Sequence, residues 1–225
     1  MKRLFELINK NILKEFFSEK THLIPTEKEL PIITISREMG SGGRPIANLV
    51  VKTLGKPWKL FHREIIEEIS KESQMEKKLI KEVDENKIPL IDELVADFFG
   101  KRYLNLSNYY KNLVKVLSTV GHRGYVIIMG RGAQYLFPQA LNVRIICETD
   151  QRIKWLIEYE KITRNEAIKR IEDSDQKRID FEKAIYGHDP RKAHHYDLVI
   201  RTGPEISIED AADIIVFAAR KKFKI

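Results

Sequence analysis

The sequence has a single cysteine, Cys147, among 225 residues. One cysteine cannot form a disulfide within the chain, so the disulfide framework of small secreted domains is lacking and a reducing, cytoplasmic location is expected. No apolar run approaches the ~20 residues that a helix needs to cross a bilayer, which argues against a membrane span. Internal repeats, low-complexity tracts and flexible linkers are also lacking, and a chain of this length then fits one medium domain, with or without an insert.

The charge balance favours basic residues. Lysine and arginine total 40 against 33 aspartate and glutamate, which gives a formal net charge of +7. An excess of positive charge indicates an anionic partner, and either a nucleic acid or a nucleoside triphosphate would satisfy it. The sequence contains no helix-turn-helix, zinc-finger or RNA-binding signature, so nucleic acid is the less favoured of the two.

Residues 1–30 are predicted to form an amphipathic helical arm. Apolar side chains recur along it at helical spacing, at Leu4, Ile8, Ile12 and Phe16. The stripe is expected to pack on the chain's own core or, alternatively, against a second subunit in a homodimer. Acidic residues interspersed among the lysines of the arm make a membrane surface the weakest of the three alternatives.

Five short strand-like runs, four of them rich in β-branched residues, alternate with segments of helical periodicity. The runs lie at 31–36, 58–61, 125–129, 143–147 and 197–201. Buried strands that alternate with helices predict a parallel sheet covered on both faces, which is an α/β architecture. Residues 31–225 are therefore expected to form one domain, with a helical insert at about 63–120 and a charged helical stretch at 150–192.

A glycine-rich segment follows the first predicted strand and precedes the first long helix. Three glycines in the four residues 40–43 allow a tight turn that brings backbone N–H groups close to an anion. The N-terminus of the following helix presents further N–H groups and its positive dipole end at the same place. The pattern predicts a phosphate site, and the alternative is a glycine-rich turn without a ligand.

The segment departs from the standard phosphate-binding motif, G-x-x-x-x-G-K followed by Ser or Thr. With Gly42 as the second glycine, Arg37 replaces the first glycine, Gly43 stands at the lysine position, and Arg44 stands at the hydroxyl position. Arginine can bring positive charge to phosphates, but it cannot ligate magnesium as a hydroxyl does.

The run ITISREMGSGGR at 33–44 resembles the T-I-S-R-x-x-G-S-G-G-R signature of the cytidylate kinase-like family. These are P-loop proteins related to bacterial cytidylate kinases and adenylate kinases. Further segments resemble family motifs in the same order, at 61–66, 126–133, 143–152 and 196–202, so that the resemblance covers about residues 31–220. It implies a P-loop NTPase-like three-layer sandwich of about five parallel strands flanked by helices, with helical acceptor-binding and lid segments.

The resemblance implies which residues bind the donor, ATP with Mg2+. These are Arg37, Gly40, Ser41, Gly42, Gly43, Arg44 and Arg152. Arg44 would take over the charge of the missing lysine, and Arg152 would face the donor nucleotide. No metal ligand is assigned, because the third strand ends in Met129-Gly130 without a carboxylate.

The resemblance also implies an acceptor site and a lid. Arg131, just past the third strand, would contact the acceptor monophosphate, and His62 and Arg170 would also bind the acceptor. The lid is expected at about 164–192, with Arg178 closing over the phosphates. Phosphoryl transfer mainly requires positive charge around the transferred group. The candidate catalytic residues are therefore Arg44, Arg131 and Arg178.

Three hypotheses for function follow. The first is a nucleotide-binding phosphotransferase that moves a phosphoryl group from ATP to CMP or a related monophosphate. The second is a catalytically weak or inactive nucleotide-binding regulatory protein, since His62 and Gln134 replace acidic residues usual in the family. The third, a nucleic-acid-binding protein, is the least favoured. The histidines at 188, 194 and 195 are predicted to lie in a polar loop and not in a metal site.

Overall fold

The computed structural model describes residues 30–62, 64, 66 and 108–225. The chain divides into two compact units, one of residues 31–63 and 124–225 and the other of residues 1–30 and 64–123. Apart from Leu30, the predicted N-terminal arm lies outside the described residues, as does most of the predicted insert. A homodimer through that arm stays a prediction. In the part of the chain that the structure describes, no helix is long and apolar enough to cross a membrane.

Five parallel strands form the sheet. They are β1 (Ile32–Arg37), β2 (Lys59–Phe61), β3 (Val126–Met129), β4 (Leu141–Cys147) and β5 (Leu198–Thr202). The strand order is β2-β3-β1-β4-β5, and β1 lies at the centre with Ile35 paired to Met129 and to Val143. The carboxyl ends of β1, β3 and β4 therefore meet at one edge. The expected α/β fold with a parallel sheet is confirmed.

The helices are α1 (Gly43–Leu54), α2 (Asn108–His122), α3 (Ala133–Leu136), α4 (Thr149–Glu160), α5 (Arg164–Tyr186) and α6 (Ile208–Phe223), with a short 3-10 helix at Ala193–His195. Of these, all except α2 lie in the same compact unit as the sheet and flank it. The helix predicted around residues 113–120 is present as α2, which lies in the other compact unit and buries Leu113 and Leu117.

The two faces of β1 differ in chemistry. Side chains alternate between the faces of a strand. Ile33 and Ile35 lie in an apolar core that includes Ile46 of α1 and Ile215 of α6. Thr34 and Ser36, on the opposite face, are buried but polar, and Thr34 Oγ1 donates to Asn142 Oδ1 at 2.6 Å. One face of the central strand thus anchors the apolar core, and the other begins a polar network.

The charged stretch at 150–192 forms two helices where one continuous segment was expected. Lys161, in left-handed geometry, ends α4, and Thr163 begins α5 with a capping box in which its side chain accepts from Glu166 N. The Glu166 carboxylate in turn accepts from Thr163 N at 2.8 Å. Reciprocal capping satisfies N–H groups at the start of a helix. The predicted lid segment is therefore the helix α5, which Gly187 ends, and the loop that follows it.

Candidate functional site

The glycine loop joins β1 to α1 at the carboxyl edge of the sheet. Gly42 adopts left-handed geometry with φ 78° and directly precedes the helix, where Ile46 N donates to Gly42 O at 3.1 Å. The first turn of α1 carries no acidic residue. The N–H groups and the positive dipole end of α1 are therefore not neutralised by a carboxylate of that turn, which suits an anion.

Hydrogen bonds of Ser41 hold the loop in its conformation. This residue is fully buried, and both its N–H and its Oγ donate to Glu38 O, at 3.4 and 2.9 Å. Thr202 Oγ1 of β5 donates to Ser41 O at 2.9 Å. The Ser41 hydroxyl is thus used within the turn itself, and the turn is tied to a second strand.

Arg37 occupies the space beside Gly43. A Cβ atom placed on Gly43 would lie 2.7 Å from Arg37 Cβ and 2.9 Å from Arg37 Cγ. Farther along the same side chain, Cζ of Arg37 lies 3.4 Å from the position of a Cβ atom on Gly130, at the end of β3. A lysine at position 43 would therefore collide with Arg37. The arginine at the first position of the motif thus fills the space that a side chain at the lysine position would need, and its guanidinium lies beside Gly130.

Arg44 and Arg131 lie at the same edge of the sheet. Arg44 is exposed in the first turn of α1. Arg131 follows β3 in left-handed geometry with φ 60°, and its backbone oxygen accepts from Tyr186 Oη at 2.8 Å. The Arg131 guanidinium lies 4.6 Å from the centre of the Phe181 ring of α5. Both arginines thus lie at the edge of the sheet where open α/β folds bind their ligands.

Arg152 is buried between two carboxylates. Its Nη1 donates to Glu38 Oε2 at 3.1 Å, and its Nη2 donates to Asp175 Oδ2 at 2.6 Å. Glu38 also accepts from Cys147 N at 3.1 Å and lies 3.6 Å from the guanidinium of Arg144. Arg178 Nη1 donates to Asp175 Oδ1 at 2.6 Å. The loop, α4 and α5 therefore share one charged network.

Two of the predicted acceptor residues lie outside this network. Arg170 is exposed and forms an ion pair with Glu160 of α4. His62 is buried just after β2. By contrast, Glu38, which was not predicted as a site residue, and Asp175 of the charged stretch hold the network together. A run of charged residues in the sequence does not show which carboxylate faces inward.

Glu182 of α5 is a second unpredicted acidic group. It is buried, and its carboxylate accepts from Gln134 Nε2 at 2.8 Å. Burial raises the pKa of Glu182 to about 7, although hydrogen bonds and the charges of Arg144 and Arg37 lower it. Gln134 replaces an acidic residue usual in the family. A carboxyl group is nevertheless present beside it, supplied by α5.

The histidines that follow α5 contact one another edge-on or tilted, and one of them stacks on an aromatic ring. The ring centres of His194 and His195 lie 4.3 Å apart, and His188 stacks on Tyr135 at 4.9 Å. Within residues 30–62, 64, 66 and 108–225, no group of three or more His, Cys, Asp or Glu is arranged to hold a metal ion.

The fold is a parallel α/β fold with a glycine-rich loop between β1 and α1. A family model described as the cytidylate kinase-like family matches residues 32–204. The match covers well over half of the chain, which therefore belongs to the cytidylate kinase-like family, as its motifs indicated. Membership of this family supports a nucleotide kinase-like role.

Solved structures show a similar fold. An uncharacterized protein from Eubacterium ventriosum matches with a TM-score of 0.63 and 18% identity, over 86% of this chain and 99% of that one. A Thermus thermophilus protein matches with a TM-score of 0.48 and 16% identity, over 85% and 98%. The dephospho-CoA kinase of Campylobacter jejuni matches with a TM-score of 0.39 and 14% identity, over 86% and 98%. No curated protein matches the chain. At such low identity the Eubacterium protein shows the fold alone.

Proposed function

We propose that the protein is a phosphotransferase that moves a phosphoryl group from ATP to CMP or a related nucleoside monophosphate. The observation that carries the proposal is the position of Arg37, whose Cβ and Cγ lie beside Gly43 and whose guanidinium lies beside Gly130 at the end of β3. This arginine would supply positive charge to a loop that lacks lysine. The loop lies at the carboxyl edge of the sheet, where open α/β folds bind their ligands. Family membership points to the same reaction class.

The loop suits a triphosphate. Phosphoryl transfer proceeds with little covalent help from the protein, so positive charge and oriented N–H groups around the transferred group account for most of the catalysis. Backbone N–H groups of residues 40–44 and the start of α1 would hold the donor phosphates. Arg37 would approach them from the β1 side, and Arg44 from the first turn of the helix.

Magnesium does not fit the loop in the way that it fits the standard motif. Arg44 stands at the hydroxyl position, and the buried Ser41 Oγ donates to Glu38 O. Oxygen ligands are what Mg2+ prefers, and neither side chain is available to it here. The reaction is therefore argued only from the arginines and N–H groups of the chain, although kinases of this kind generally use ATP with Mg2+.

The acceptor would bind between β3 and α5. Arg131 would contact its phosphate, because its backbone is fixed at the carboxyl end of β3 by the hydrogen bond from Tyr186. Arg178 would approach the transferred group from α5. His62 and Arg170 are retained as weaker candidates for acceptor binding, since Arg170 is exposed and already pairs with Glu160.

A coupled assay of ADP formation tests the proposal with CMP, dCMP, UMP and AMP as acceptors. We expect turnover with at least one of them, and kcat/KM at least about 100-fold lower in Arg37→Ala and Arg44→Ala, because each removes charge from the transition state. His194→Ala is the matched control, since this residue lies away from the loop, in the short 3-10 helix. Turnover that is indifferent to both arginines would contradict the proposal.

A nucleotide-binding regulatory protein is the second candidate. Gly43 at the lysine position and Met129-Gly130 at the end of β3, where no carboxylate follows, favour it. Calorimetric titration with ATP separates the two. Binding of ATP without turnover of any acceptor supports the regulatory protein, and turnover supports the kinase.

A further inference from the structure

The lid helix α5 contacts the glycine loop through the carboxylate of Asp175. Its Oδ1 accepts from the backbone N–H of Met39 at 2.8 Å and from Arg178 Nη1 at 2.6 Å. Met39 lies 136 residues earlier in the chain, inside the loop itself. One oxygen atom thus fixes both an amide of the proposed phosphate loop and an arginine of the proposed lid.

The second carboxylate oxygen of Asp175 is linked to the loop through Arg152. Oδ2 accepts from Arg152 Nη2 at 2.6 Å, and Nη1 of the same guanidinium donates to Glu38 of the loop. Only 7% of the Arg152 side chain is exposed, so its charge is compensated mainly by these two carboxylates. Two consecutive loop residues are therefore bonded to α5, Met39 directly and Glu38 through Arg152.

Ionic contacts dominate this part of the helix. The first half of α5 packs on α4 through Ala167 and Ile171, in a small apolar cluster that Met39 borders. From residue 172 to residue 181 the helix is exposed or only partly buried. The apolar contact therefore ends just before Asp175. Charge-assisted hydrogen bonds of this length are about twice as strong as neutral ones and are directional, which suits them to set geometry.

We propose that Asp175 is a positioning residue, which holds the loop at Met39 and the guanidinium of Arg178 in the arrangement that binds donor phosphates. The inference rests on the proposed function. Arg178 can bind phosphate while it keeps its bond to Asp175, because a guanidinium carries five N–H donors. Arg152 takes part as the buried link between the two carboxylates and does not touch the nucleotide.

A double-mutant cycle tests this role. Affinities for ATP and for inorganic tripolyphosphate are measured by calorimetry in the wild type, Asp175→Asn, Arg178→Ala and the double variant, with Asp180→Asn as the matched control. Asp180 is an exposed carboxylate on the same helix. We expect each single variant to weaken binding about tenfold, because each loses a hydrogen bond between charged groups. The double variant should bind little more weakly than the single variant that has lost more affinity.

Two results would overturn the proposal. Tighter binding in Asp175→Asn would show that Asp175 competes with phosphate for the loop and for Arg178. Losses that simply add in the double variant would show that Asp175 does not act through Arg178. A residue needed only for stability would lower the melting temperature without this coupling. If Asp175→Asn fails to fold, Asp175→Glu takes its place, since it keeps the charge beside Arg152 and displaces it by one methylene; unchanged affinity in that variant overturns the proposal.

The role of Asp175 remains testable if the proposed function fails. If the wild type binds neither ATP nor tripolyphosphate, the proposed function is wrong. Amide hydrogen exchange in residues 37–44 then tests whether Asp175 connects the loop to α5. Faster exchange of the loop amides in Asp175→Asn than in Asp180→Asn supports the connection between loop and helix. Equal exchange in the two variants overturns it.

Discussion

The Cβ atom of Arg37 occupies the space that a side chain on Gly43 would need. A Cβ atom on Gly43 would lie 2.7 Å from it, which is closer than side-chain carbons approach without one of them moving. Two of the three departures from the standard phosphate-binding motif are therefore linked, since the arginine at its first position requires the glycine at its seventh.

Gly43→Ala is expected to lower the free energy of unfolding by about 1–3 kcal/mol, as overpacking usually does. In an Arg37→Gly background the same change should cost little, because the colliding side chain is gone. Urea unfolding of the two pairs of proteins measures the difference. Gly203→Ala is the control, since no atom lies within 4 Å of the added methyl group. Equal costs in both backgrounds would mean that Arg37 does not restrict position 43.

Arg152→Met should destabilise the protein by about 3 kcal/mol, because it breaks a buried charge network and leaves two carboxylates without their shared partner. Arg164→Met, which removes an exposed pair with Asp150, should cost less than about 1 kcal/mol. The side chain of Arg152 is 7% exposed and that of Arg164 is 61% exposed. Thermal or urea unfolding gives both values, and similar costs would contradict the network as described.

Thr202→Val is expected to weaken the attachment of the loop to β5. The variant keeps the shape of the side chain but removes the hydroxyl that donates to Ser41 O at 2.9 Å, which leaves a buried oxygen without that donor. We expect a loss of about 1–3 kcal/mol in stability and weaker ATP binding by calorimetry. Thr53→Val, at an exposed position of α1, is the control. Wild-type stability in Thr202→Val would show that this bond does not hold the loop.

Glu182→Gln should change how stability depends on pH. Burial raises the pKa of Glu182 from 4.5 to about 7 in the folded protein. The folded state then holds the proton more tightly than the unfolded state, so the stabilisation is complete below pH 4.5 and is lost as the pH rises through about 7. The neutral variant lacks this loss.

The measurement for Glu182 is the urea midpoint of both proteins from about pH 4 to about pH 8. We expect the wild type to lose stability relative to Glu182→Gln over this range. Glu172→Gln, an exposed position on the same helix, should follow the wild type throughout. Parallel pH profiles of the wild type and Glu182→Gln would show that Glu182 does not titrate in this range.

The sequence predicts much of the fold because its signals are local. Runs of β-branched residues predict β1, β3, β4 and β5, the short run at 58–61 predicts β2, and the glycines before Arg44 place the loop between β1 and α1. The break between α4 and α5 also had a local signal, since Thr163 and Glu166 have the spacing of a capping box. That signal was missed in a stretch that was treated as one charged segment.

The site is less predictable because its contacts join distant parts of the chain. Asp175 bonds to Met39 across 136 residues, and Gln134 bonds to Glu182 across 48. Nothing in the charge pattern of α5 separates Asp175, which faces the loop, from Asp180, which is exposed. The contact between Arg37 and Gly43 was also hidden, because the distance between them depends on the turn that the intervening residues make.

The most direct test of the central claim is a crystal structure of the protein with bound ATP or tripolyphosphate. The account predicts phosphate oxygens within hydrogen-bonding distance of the N–H groups of residues 40–44, with the guanidinium of Arg37 beside them. Phosphates bound elsewhere on the protein, with the glycine loop empty, would contradict it.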